Sequence, residues 1–380
     1  MASTTETEDD FTGRMFQLVT DGHLCLSVAL GVQTGLFEKM AEWDEPKSSE
    51  EIAQATDSKE RYVREWLGAM VTGKIVELST DSSGVDRFLL PPRRRNALTR
   101  AGSTDSSAAY SVTVPALAEV FGKISNCFKK DGPKGVSYSD YSDIYWTATD
   151  DMTEAKYKKH LLTDIIPAVP GMTEALESGA SVLDVGCGSG ATSVLLAAAF
   201  PNSTIMAMDT SDEALEILQS KALKQNLNNI TVAKQDACKL PSDWAGKFDF
   251  VLANDMVHDT AQPGDVLRGC YEVLKADGTF VMNDVYTHSS MAKNIQFSYA
   301  PMVYNYSVLN CMAVSLNEDG MGLGAAWGIE KAEEMIRAAG FTEVKLTQCP
   351  TDFDMMFVCK KAEDDLSTSQ QVLRLAQLCE

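Results

Sequence analysis

The residues best placed for chemistry in this 380-residue chain are three glycines and a series of acids, each closing an apolar run. Gly186, Gly188 and Gly190 stand two apart in VLDVGCGSG, directly after Val182, Leu183 and Val185, which suit a buried parallel strand. Glycines there let the backbone turn sharply with its N–H groups facing a ligand. The following ATSVLLAAAF, residues 191–200, has helix composition, so the loop lies between a strand end and a helix start, a place suited to a nucleotide cofactor. The pattern is G-x-G-x-G and not the G-x-G-x-x-G of dinucleotide folds, which argues against NAD. Asp209 closes STIMAMD where an acid accepting both hydroxyls of a ribose belongs. Asp236-Ala237 follows a third strand at 230–233 and suits an adenine amino group. A fourth strand, FDFVLAND, ends at Asn254-Asp255, and His258, which titrates near neutral pH, lies just beyond it. A fifth strand spans 279–285 after KADG.

Strands alternating with helices of this length predict right-handed crossovers and a parallel sheet, with ligands at the carboxyl ends of the strands, where all these acids fall. The length exceeds one typical domain, and 44% hydrophobic content can build more than one core. A net charge of −21 opposes general affinity for nucleic acid or anionic membranes and favours a small-molecule partner. The start, MASTTETEDD, is polar and acidic, and no run reaches the roughly 18 apolar residues of a span, so neither signal peptide nor membrane segment is expected and the protein reads as cytoplasmic. Nine scattered cysteines without a Cys-x-x-Cys pair read as reduced thiols, with no metal site, and Cys187 as a small filler within the glycine loop.

From Ser181 to about Lys361 the chain resembles the class I S-adenosylmethionine-dependent methyltransferases. The resemblance implies an α/β, Rossmann-like sheet of seven strands whose last strand, within GFTEVKLTQCPTDFDMMFVCKK, inserts antiparallel. It implies S-adenosyl-L-methionine as cofactor, held by Asp184, Gly186, Gly188, Gly190, Asp209, Asp236 and Ala237, with Asn254 at the same edge.

Residues 11–90 read as four helices and a two-stranded hairpin of KIVEL and RFLL, which resembles a winged helix. SSEEIAQAT offers Ser48 and Ser49 as N-caps, DSKERYVREWLGAMVTG gives a second capped helix ending at Gly73, and Val63, Trp66, Leu67 and Met70 have core spacing. With Arg93, Arg94, Arg95 and Arg100 beside it, the module invites an alternative reading as an S-adenosylmethionine-sensing, DNA-binding regulator. Acids outnumber bases in residues 1–100, and the domain order resembles plant phenolic and hydroxyindole O-methyltransferases, in which such a module dimerises. A homodimer through the apolar faces of residues 15–37 is therefore expected.

The expected organisation is a disordered acidic tail at 1–10, a winged-helix dimerisation domain at 11–100 and a helical connector and lid at 101–170. The methyltransferase domain then runs over 171–362 with an insert at 289–328, before a tail at 363–380. In the connector, Tyr138, Tyr141, Tyr145 and Trp146 either wall an acceptor pocket or pack. The insert resembles a segment of a little-studied group of bacterial and invertebrate winged-helix methyltransferases, where it covers the active site. That resemblance makes Tyr304, Tyr306, Asn310, Cys311, Ser315 and Trp327 candidates for acceptor contact. Relatives often carry histidine at the position of Asn310, so hydrogen bonding is its expected contribution. His258-Asp259 resembles the His-Asp pair that follows the fourth strand in the phenolic and hydroxyindole enzymes, which makes His258 the candidate general base for methyl transfer to an oxygen, nitrogen or sulfur nucleophile.

Overall fold

In the computed structural model, residues 6–100, 107–347, 349, 351 and 353–361 are described. They divide into two units, one made of residues up to 119 with Tyr141–Lys156, the other of Val120–Asp140 with 157 onward. The expected connector at 101–170 is thus shared between them. Residues 1–5 of the expected acidic tail and the expected tail at 363–380 lie outside the described residues.

The first unit opens on helix Glu8–Gln33, started by a capping box between Thr7 and Asp10. Glu8, Asp9 and Asp10, expected in a disordered tail, form its first turn, where acids complement the helix dipole. Helices Leu36–Ala41, Ser49–Ala55 and Glu60–Thr72 follow, then β1 (Glu77–Thr80) and β2 (Asp86–Leu89), paired antiparallel. Ser48 caps the Ser49–Ala55 helix as expected. The next helix carries no side-chain cap and starts after Lys59, because Asp57 takes a left-handed turn at φ 50°. The hairpin begins later than KIVEL suggested, since Lys74, at φ 60°, is spent leaving the helix. Val63, Trp66, Leu67 and Met70 are buried with Phe37, Ile52 and Leu90, and Ala108, Val112 and Ala148 complete the same core. Helix Glu8–Gln33 buries only Ala29, Gly31 and Val32, all near its end. Phe16, Leu18 and Leu30 are 76%, 62% and 58% exposed. It is also the described helix whose length and mean hydropathy would suit a membrane span.

In the second unit, β3 (Ser181–Val185), β4 (Thr204–Asp209), β5 (Ile230–Lys234), β6 (Phe248–Asn254), β7 (Leu274–Val285), β8 (Glu343–Thr347) and β9 (Asp354–Lys360) form one sheet in the order β5-β4-β3-β6-β7-β9-β8. The first five are parallel, and β9 runs antiparallel between β7 and β8, as the closing segment predicted. Apolar cores cover both faces, one around Val251, Phe280 and Phe357, the other around Val182, Leu252 and Val281, which is why the strands read as continuous apolar runs. Val185 pairs with Met208 and Ala253, and Asn254 with Asn283. This register brings the glycine loop, Asp209, the turn after β6 and Asp284 to one edge of the sheet.

The insert folds as helices Met291–Asn294, Ala300–Leu309 and Cys311–Asn317. Its glycines serve close backbone approach: a Cβ at Gly328 would lie 2.1 Å from Ser289 N, and one at Gly320 2.4 Å from Ala261 Cα.

Candidate active site

The glycine loop is fastened to the neighbouring strand. Cys187 N donates to Met208 O, and Gly188 N to Asp209 Oδ2, at 2.9 Å each. Asp209 Oδ1 accepts from Ser211 N, and the carboxylate remains partly exposed. Gly186, Gly188 and Gly190 all have positive φ, from 52° to 82°, as the loop requires. A Cβ at Gly190 would strike Leu218 at 2.2 Å, so this glycine packs one helix against another, whereas a Cβ at Gly188 would meet nothing within 4 Å. Asp236 is exposed and accepts from Cys238 N, with Ala237 buried beside it.

Two expected cofactor residues have a different task. Asp184 is fully buried and accepts a 2.6 Å hydrogen bond from Ser193, so it braces the loop from inside and shows no face to a ligand. Burial, opposed by Ser193 and reinforced by the charge of Asp209, pushes its pKa up to about 6. Asn254 likewise spends its amide on the protein, accepting from Asn283 at 2.8 Å and facing Thr192 at 3.5 Å.

His258 lies in the short turn Val257–Asp259 after β6 and is 3% exposed. Its Nδ1 bonds the carboxylate of Asp284, at the end of β7, at 2.9 Å, and Asp284 is itself wholly buried. On the other side of the ring, Nε2 stands 3.1 Å from Asp259 Oδ1, yet that oxygen accepts no aligned hydrogen bond. Asp259 Oδ2 accepts from Tyr138 at 3.4 Å. Burial alone would strip the imidazole of its proton, but the charges of Asp284 and then Asp259 outweigh it and hold the pKa well above the ordinary histidine value. For Asp259 burial is again the largest influence, and the imidazolium reverses it, keeping the carboxyl below its usual range. Burial and the Asp259 charge push the Cys311 thiol up to about 12.

The insert residues divide. Asn310 and Cys311 are buried, with Cys311 Sγ 3.7 Å from Asn310 Oδ1, and the Asn310 Nδ2 donor has no partner among the described residues. Trp327 is buried in the core beside Val257, its Nε1 likewise without a partner. Ser315 is a clip that donates to Thr260 O and accepts from Gly322 N. Tyr304 accepts from Asn294, and Tyr304 and Tyr306 are half-buried on the same helix. Tyr145 belongs to the first unit, buried in an aromatic cluster with Tyr141 and Trp146, which is the packing alternative. Sequence reasoning missed Asp284 as the partner of His258. Its one signal is an acid among the apolar residues of TFVMNDV.

A seven-stranded sheet with this order, a glycine loop after β3 and acids at the strand ends defines the methyltransferase fold. Residues 176–317 match a family model described as a methyltransferase domain, and residues 22–100 one described as an Rv2258c-like winged HTH domain. The chain therefore carries a methyltransferase domain behind a winged helix-turn-helix domain. Among solved structures, human N-acetylserotonin methyltransferase in complex with SAM is similar at a TM-score of 0.69 and 14% identity, over 95% of this chain and 100% of that one. PigF with SAH is similar at 0.69 and 17% identity, over 93% and 99%. The ubiquinone biosynthesis O-methyltransferase of Caulobacter vibrioides is 32% identical over 28% of this chain and 42% of its own length. The chain thus spans less than half of that curated relative.

Proposed function

We propose that this protein transfers the sulfonium methyl of S-adenosyl-L-methionine to an oxygen, nitrogen or sulfur nucleophile of a small molecule. The observation that carries this reading is the glycine loop fastened to Asp209 within a domain that matches the methyltransferase model. The residues fit the cofactor: Asp209 keeps an accessible carboxylate for a ribose, Gly188 holds a left-handed turn with open space around it, and Asp236-Ala237 sits at the adjoining strand end. When bound, the cofactor supplies an electrophilic methyl whose transfer neutralises its own positive charge. The protein's share is to align the nucleophile, exclude water and accept a proton. His258 is the proton acceptor in this reading. Asp284 fixes the ring through Nδ1, and Nε2 is left without an aligned hydrogen bond to Asp259.

The arginines beside the winged helix support the enzymatic reading over DNA binding, because acids engage them: Arg93 and Arg94 meet Glu77, Arg95 meets Asp44 and Arg100 meets Asp151. Homodimerisation through the exposed apolar face of helix Glu8–Gln33 belongs to the same proposal. Purified protein incubated with methyl-labelled S-adenosylmethionine and a metabolite extract should yield a labelled small molecule. Absence of both a labelled product and calorimetric binding of S-adenosylhomocysteine would sink the reading.

A further inference from the structure

His258 Nε2, a carboxylate oxygen of Asp259 and Cys311 Sγ lie within 4.8 Å of one another. Nitrogen, oxygen and sulfur bound to one tetrahedral zinc-class ion stand roughly 3.5 Å apart, so about an ångström of contraction would complete three corners. Three further observations point to an ion. The Nδ1 bond to buried Asp284 is the carboxylate–histidine arrangement that fixes a ring for coordination through Nε2. Asp259 Oδ1 is buried without an aligned donor, although Nε2 is 3.1 Å away. The cluster also sets two carboxylates, that of Asp284 wholly buried, against the two nitrogens of one imidazole ring.

We propose that His258, Asp259 and Cys311 form a binding site for a zinc-class divalent cation, with a fourth position left for the nucleophilic atom of a small molecule. Mixed N, O and S donors select zinc over magnesium or calcium, and three protein ligands plus an open position is the pattern of catalytic zinc. Loading forms three bonds to the ion and releases two protons to solvent, one from Nε2 and one from the Cys311 thiol. The divalent charge replaces those protons, so the net charge of the cluster does not change. Nε2 cannot hold an ion and a proton at once. The loaded protein would therefore rely on the ion, not the imidazole, to stabilise an anionic nucleophile. This inference stands independently of methyl transfer.

Chelator-treated full-length protein titrated with Co²⁺ tests it. One equivalent should bring tetrahedral d–d absorption and a thiolate-to-cobalt charge-transfer band, with release of two protons in weak buffer. C311S should abolish the charge-transfer band, and D259N should weaken cobalt binding roughly tenfold or more. C359S, which alters a buried thiol in β9, should change neither. Absence of the charge-transfer band, or its survival in folded C311S, overturns the site. If C311S does not fold, loss of tetrahedral absorption in His258→Gln makes the same decision, and its persistence there overturns the site. Methyl transfer by chelated protein that gives no cobalt band would remove the metal site alone. A cobalt band in protein that transfers no methyl group, loaded or chelated, would support the site and remove the methyltransferase reading.

Discussion

His258 is held between two carboxylates, and that sets the pH at which it can accept a proton. Because its pKa is raised, the neutral ring appears only well above the ordinary value of about 6.5. In metal-free protein, kcat/KM should therefore climb with pH through an alkaline-shifted limb. Asp284→Asn removes the first of the two charges, so the limb should move to lower pH while the maximal rate falls through loss of ring orientation. A pH–rate profile of the two proteins checks both. Stability runs the other way: the contribution of the raised His258 is complete below about pH 6.5 and is lost as pH rises through its folded pKa. His258→Ala should lower turnover by roughly 10²–10⁴ and leave the affinity for S-adenosylhomocysteine unchanged. A fall of less than about tenfold, within the reach of positioning effects, would mean that the acceptor arrives already deprotonated. Asp209→Ala should weaken calorimetric binding of S-adenosylhomocysteine by about 1.5–3 kcal/mol, because two ribose hydroxyls lose a charged acceptor. The loss also frees the N–H groups of Gly188 and Ser211, so the loop itself should loosen.

Among the elements, the closing turn of the insert is tightly constrained. Gly328 combines φ 81° with backbone of Ser289 where a Cβ would stand, so Gly328→Ala should destabilise the protein by about 1–3 kcal/mol in urea unfolding. Gly13→Ala, in an exposed helix with nothing within 4 Å, should cost nothing and serves as control. The same contrast explains what the sequence revealed. The strands β3 to β7 were legible because each apolar run ends in a turn or an acid, and β9 because Met355 to Cys359 form an apolar run after a turn-rich segment. Where Lys74 and Asp57 adopt left-handed turns, the start of the following strand or helix shifted by a few residues, since no local signal separates such a turn from the start of a strand or cap. The pairing of His258 with Asp284 and Cys311 was illegible for a different reason. These residues come from a turn, a strand end and an insert helix, and only the sheet register and the fold of the insert bring them together. Asp184 and Asn254 were found at the right edge of the sheet, but sequence could not show that their side chains are turned to the protein's own use.

For the whole molecule, the exposed apolar residues of helix Glu8–Gln33 predict a dimer, because Met15, Phe16, Leu18, Val19, Leu26 and Leu30 are all left exposed along it. Light scattering should give twice the chain mass at micromolar concentration, and Phe16→Asp with Leu18→Asp should halve it without loss of helix content. A monomeric parent protein would defeat the proposal. The other molecular-scale feature is that the chain passes between its two units three times, at 119/120, 140/141 and 156/157. Ala148 contributes to the same core as Phe37 and Trp66, so a fragment beginning after Arg100 would carry Ala108, Val112 and Ala148 with nothing to cover them. Deleting the first hundred residues thus removes most of a core and not a self-contained domain. During synthesis the order is equally constrained: the amino-terminal helices leave the ribosome first, yet their core stays open until residues beyond 148 have emerged. The first unit to be started is completed only after the segment 120–140, which belongs to the other, has already been made.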